Sequence, residues 1–143
     1  MPRPASTRPM AMPVADSGRP LVLVVEDNPV NLELVEAILD REGYHIVAAA
    51  SAEEALEQLR GLRPHLVLLD IQLPGLDGLG LMRLLKSNPE TAGIPVVALS
   101  AHARHEDRQA ALAAGCVDYI AKPIDTRTLP AQLAAVLRAP RPI

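Results

Sequence analysis

Five short apolar runs alternate with stretches of helical spacing, and this alternation constrains the chain more than any other feature. The runs are Leu21–Val25, His45–Ala49, Leu66–Leu69 with Asp70 at its end, Ile94–Leu99, and Val117–Ile120. A run of this length with no polar alternation reads as a strand buried on both faces. Between the runs, apolar residues recur three and four positions apart. Leu34, Val35, Ile38 and Leu39 form one stripe; Ala52, Ala55, Leu56 and Leu59 form the next. Leu81, Met82 and Leu85 lie within a third helix of about residues 78–86. An Ala-rich helix follows over about 105–114, and Leu129, Leu133, Val136 and Leu137 mark the last. Strict alternation predicts an α/β fold, a five-stranded parallel sheet doubly wound by helices as (βα)5.

Local signals set the helix ends. Asn28-Pro29 pairs an N-cap with proline at the first helical position. Gly43 and Gly115 stop the first and fourth helices. Ser51 with Glu54 three residues on is a capping box. Asp125 is the expected N-cap of the last helix, whose start Pro130 delays or kinks.

Outside the alternation lie a Pro-rich tail at 1–19, expected to be disordered, and a short C-terminal tail at 140–143. The folded domain is expected over 20–139, with no residues left over for an output domain. The net charge is −3, and residues 1–19 carry +2 (Arg3, Arg8 and Arg19 against Asp16), which leaves −5 for the rest. An acidic domain with no Phe or Trp, and only Tyr44 and Tyr119, lacks the basic face and the stacking surface that nucleic acid requires. Cys116 is the single cysteine and reads as a small buried hydrophobe. No apolar run is long enough to cross a membrane, and the N-terminus has no signal-peptide core, so a cytoplasmic protein is expected.

Polar residues cluster just past four of the strands: Glu26-Asp27, Asp70, Ser100 and Lys122. Parallel strands bring all their carboxyl ends to one edge, where sites in open α/β sheets are built. Each residue alone has a plainer reading: a solvated turn, a helix cap, a surface lysine. Together they form a set. Three carboxylates at one edge repel, at about 4 kcal/mol for a pair 4 Å apart at an effective dielectric near 20. An all-oxygen donor set suits Mg2+ as the compensating ion, and Lys122 adds a second positive charge. Carboxylate, divalent cation, lysine and hydroxyl suit phosphoryl transfer. Asp70 is then the nucleophile, and an ionised carboxylate needs no general base.

The order Glu26-Asp27, Asp70, Ser100, Lys122-Pro123 resembles the receiver domain of two-component response regulators, which shares the flavodoxin-like fold. Pro74, Gly78 and Tyr119 extend the match, which covers about residues 20–139. Val25-Glu26-Asp27-Asn28 with Asn31, Ile94–Ala101 and Tyr119–Ile124 resemble the receivers of hybrid kinases and single-domain regulators of DivK type. The resemblance implies that Asp70 accepts a phosphoryl group from a histidine kinase or phosphotransfer protein. It implies Mg2+ ligands at Asp27, Asp70 and the Gln72 main-chain carbonyl, with Glu26 acting through water. It makes Lys122 a phosphoryl contact, Ser100 and Tyr119 a switch pair, and the Lys122-Pro123 peptide cis. Gln72 and His102, each two positions past a site residue, are candidates for tuning the phosphoryl lifetime. The output would be a downstream target protein, reached by a monomer or a phosphorylation-dependent homodimer, or a phosphorelay step onward.

Three rivals remain on the residues alone. A haloacid-dehalogenase-type phosphatase usually carries a second acid two positions after its nucleophile, where this chain has Gln72. A flavodoxin-like cofactor carrier needs a phosphate cradle after the first strand, where Glu26-Asp27 would repel an anion without metal. A receiver that binds partners without being phosphorylated is the third.

Overall fold

The computed structural model describes residues 19–72, 78–101 and 104–138. Residues 1–18 of the expected N-terminal tail, the C-terminal tail, Pro74 and His102 lie outside the described residues, whereas Arg19 is described and donates from Nη2 to the Tyr44 carbonyl oxygen at 3.4 Å. The elements run β1 Leu21–Val25, α1 Pro29–Arg41, β2 His45–Ala49, α2 Ala52–Gln58 and β3 Leu66–Asp70. They continue α3 Gly78–Ser87, β4 Val96–Ser100, α4 His105–Ala114, β5 Asp118–Ala121 and α5 Leu129–Arg138. All four strand pairings are parallel, in the order β2-β1-β3-β4-β5.

Every residue of β1, β3 and β4 is buried, because successive side chains enter two different layers. Leu23, Val25, Val67, Leu69, Val96 and Ala98 join Ala55 of α2, Leu81 and Met82 of α3, and Ala111 of α4. Val22, Val24, Leu66, Leu68, Val97 and Leu99 join Val35, Ile38 and Leu39 of α1 and Leu129 and Leu133 of α5. The helices thus divide two and three between the faces, as the alternation of sequence runs demands.

Capping follows the sequence closely. Val30 and Asn31 donate backbone N–H groups to Asn28 Oδ1 at 2.9 and 3.1 Å, opening α1. Glu54 N donates to Ser51 Oγ at 3.0 Å, while Glu54 Oε1 accepts from Ala50 N at 2.6 Å. Gly43 and Gly115 both have positive φ, the conformation a helix terminator needs.

Several expectations are corrected. Leu34 is 36% exposed and lies off the buried stripe of α1. β4 begins at Val96 rather than Ile94, because Pro95 has no N–H to give the ladder, although its carbonyl accepts from Val67 N. β5 runs Asp118–Ala121, with Val117 left half exposed. Asp125 does not cap α5 as expected. Its Oδ1 accepts from Arg127 N and its carbonyl from Thr128 N and Leu129 N, closing a turn just before the helix. Pro130 is the second residue of α5, where a missing N–H leaves nothing unpaired.

Cys116 packs in the layer with Tyr119 and Ala111, and burial pushes its thiol above the ordinary cysteine value. Iodoacetamide is therefore expected to leave it unmodified in the folded chain and to label it fully in urea. The sign of the linked pH effect is fixed. The unfolded chain loses this proton first, near pH 9.0, so this residue's share of stability falls as pH rises through that value. A Cys116→Ala variant should lack that share of the alkaline decline, read by urea unfolding at pH 8 and 10.

Candidate functional site

The register brings the predicted residues together. Val25 pairs with Leu69, so Glu26, one residue past β1, is level with Asp70. Asp70 pairs with Leu99, and Ser100 pairs with Ala121, the residue before Lys122. Four strand ends therefore present Glu26, Asp70, Ser100 and Lys122 along one edge.

Lys122 is the centre of the charge network. Its Nζ lies 2.9 Å from Glu26 Oε1 and donates to Asp70 Oδ2 at 3.1 Å, and its side chain is only 14% exposed. Asp70 Oδ1 accepts from Gln72 N at 2.8 Å, and Glu26 Oε2 accepts from Asn28 N at 3.1 Å. Asp70 and Glu26 are buried, whereas the neighbouring Asp27 is exposed. Burial pushes the Glu26 carboxyl above its ordinary range, against the pull of the Lys122 ammonium. Burial works against the charge on Lys122, but Glu26 and Asp70 outweigh it and hold its pKa above the usual lysine value.

The donor set fits a divalent cation. Glu26, Asp27 and Asp70 can each offer a carboxylate oxygen, all within 4.8 Å of one another. Glu26 Oε1 has the Lys122 ammonium 2.9 Å away as an ion-pair partner, and among the described residues it is the one fully buried side-chain polar atom that makes no hydrogen bond of full geometry. A buried acceptor of this kind is costly unless something coordinates it. Hard oxygen donors match Mg2+ rather than a softer metal.

The remaining predicted residues surround this centre. Ser100 is fully buried, and its Oγ accepts from Gln72 Nε2 at 2.6 Å. Tyr119 is 5% exposed and packs in the layer beneath α3 and α4. The Lys122-Pro123 peptide is cis. Two features were not found from sequence. Arg108 of α4 lies over the Tyr119 ring, 5.8 Å from its centroid. Gly78, at the start of α3, lies directly beneath the Asp70–Ile71 peptide, where an added Cβ would come to 2.3 Å from Ile71 Cα. Arg108 had no signal, since one arginine among several charges on an exposed helix start does not stand out. Gly78 was visible only as a matched position.

Comparison with known proteins decides the family. The model of the response regulator receiver domain matches residues 22–134. The chain belongs to that family. The receiver is 40% identical over 103 residues to the polar-differentiation response regulator DivK of Brucella anthropi, covering 72% of this chain and 84% of DivK. It is 41% identical over 122 residues to the phosphate regulon transcriptional regulatory protein PhoB of Klebsiella pneumoniae, covering 85% of this chain and 53% of PhoB. The chain thus spans about half the length of that regulator. Among solved structures, a protein from Chloroflexus aurantiacus described as a response regulator superposes with a TM-score of 0.81 at 32% identity, covering 85% and 99% of the two chains. The receiver domain of the sensor histidine kinase PA1611 from Pseudomonas aeruginosa superposes with a TM-score of 0.73 at 35% identity, covering 84% and 95%. That structure carries a magnesium ion coordinated in its active-site cleft. The receiver family acts as a signalling switch in two-component systems, and no helix among the described residues is long and apolar enough to cross a membrane.

Proposed function

We propose that this receiver is a phosphorylation switch whose acceptor is Asp70. The observation that carries the reading is the placement of Asp70. It is a buried carboxylate at a strand end, held by Lys122 on one oxygen and by the Gln72 amide on the other, beside a second buried acid that shares the same lysine. One Asp70 oxygen attacks the phosphorus of a phosphohistidine on a kinase or phosphotransfer protein. The P–N bond breaks, the imidazole leaves with its electron pair and takes a proton from solvent, and an acyl phosphate remains on Asp70. Glu26 through water, Asp27, Asp70 and the Gln72 carbonyl would hold Mg2+, which supplies charge neutralisation at the phosphoryl oxygens. Lys122 remains paired to the modified group. Ser100 then donates to a phosphoryl oxygen, Tyr119 repacks, and the face formed by α4, β5 and α5 changes its affinity for a target protein. The reading carries with it a cytoplasmic setting and either a monomer or a homodimer formed on phosphorylation.

The test is intact mass after incubation with acetyl phosphate, with and without Mg2+, beside Asp70→Asn. A single phosphoryl adduct that needs Mg2+ and vanishes in the variant is expected. Absence of an adduct, with phosphorylated kinases as donors as well, would overturn the reading in favour of a phosphorylation-independent binding module.

A further inference from the structure

Gln72 touches both sides of the site at once. Its backbone N–H donates to Asp70 Oδ1 at 2.8 Å. Its side-chain amide crosses to the end of β4, where Nε2 donates to Ser100 Oγ at 2.6 Å and Oε1 accepts from Ala101 N at 2.9 Å. A backbone N–H can only donate, so the Ala101 contact fixes which way round the carboxamide sits. The residue is exposed, yet it engages a hydroxyl that is wholly buried.

A phosphoryl group on Asp70 brings strong acceptor oxygens to this edge. Lys122 supplies one donor. The end of the neighbouring strand β4 carries the Ser100 hydroxyl and the Ala101 amide, and the Gln72 carboxamide holds both. We propose that Gln72 is a positioning residue that clamps the end of β4 in its unmodified arrangement: it competes with the phosphoryl group directly for the Ala101 N–H and tethers the Ser100 hydroxyl through its oxygen, fixing where that hydroxyl sits. The proposal rests on Asp70 being the phosphoacceptor. It differs from a role in shielding the attacking water. Shielding changes how long the group survives, whereas a clamp changes how strongly the modified state is favoured at equilibrium. A contact made in one state only biases the equilibrium against the other, and its removal shifts the balance by the free energy of that contact.

The experiment is an equilibrium titration with the phosphoryl mimic BeF3−, at saturating Mg2+, followed by 19F NMR. It compares the wild-type chain with Gln72→Ala and Gln72→Met. Methionine keeps the bulk and loses the hydrogen bonds. Both variants are expected to bind BeF3− about tenfold more tightly, the scale of one or two net hydrogen bonds. Amide exchange at Ala101 should quicken in both. A purely structural role has the opposite sign, lowering the melting temperature and weakening BeF3−. Equal affinity in all three proteins overturns the clamp alone, and so does a change confined to Gln72→Ala, which would mean bulk rather than hydrogen bonding. If neither the wild type nor the variants bind BeF3−, the phosphoacceptor reading falls and takes the clamp with it.

Discussion

Alanine at Gly78 is expected to cost about 3 kcal/mol of stability, at the upper end for overpacking, and to slow phosphorylation of Asp70 by about tenfold or more. The added Cβ would approach Ile71 Cα to 2.3 Å and the Asp70 carbonyl oxygen to 2.6 Å. Both partners are backbone, so no side chain can swing aside. Either α3 lifts from the sheet, opening the layer that holds Leu81, Met82 and Leu85, or the Asp70–Ile71 peptide moves. The first response lowers stability and the second displaces the carboxylate from Lys122. Urea unfolding and the rate of adduct formation measure the two separately. A variant matching wild type in both would show that the close approach is not needed.

Replacing Lys122 by methionine is expected to destabilise the chain by about 3 kcal/mol, the scale for removing one partner of a buried ion pair. The side chains of Glu26 and Asp70 are 0% and 4% exposed, so neither charge can turn to water for compensation. The same loss should make the protein far more responsive to Mg2+, which would become the only cation facing the buried acids. Unfolding curves with and without 10-fold excess Mg2+, about that over its dissociation constant, should show a larger gain in the variant than the roughly 1.4 kcal/mol that such an excess gives by mass action. An equal Mg2+ increment in both proteins would mean that Lys122 does not offset these carboxylates.

Much of the site was legible because parallel pairing fixes where strand ends go. Once Leu66–Asp70 and Val96–Ser100 are strands of one sheet, Asp70 and Ser100 share an edge whatever their side chains do. The polar groups that punctuate helices were legible for a similar reason: Asn28 and Ser51 act on amides two or three residues away. What sequence could not supply were contacts decided by rotamers and by layer spacing. The reach of the Gln72 side chain to Ser100 crosses 28 positions, and Arg108 meets Tyr119 only because α4 settles over β5. Gly78 shows the same limit. Its spacing from Asp70 could be seen, but the reason a side chain is forbidden there is the distance between a helix and a strand. Asp125 failed as a cap because its side chain closed the nearer turn, an alternative of equal local merit.

The strand order has a consequence for the growing polypeptide. β1 lies between β2 and β3, so a chain emerging from the ribosome can complete that three-stranded unit once residue 70 is free. Lys122 lies 52 positions further on. All three acids are therefore synthesised before their own counter-charge, and any early pairing of these strands would bring them together without it. In such an intermediate the counter-charge would have to come from ions in the surrounding solution. The final βα unit, when it docks, adds an electrostatic lock to a half-built sheet.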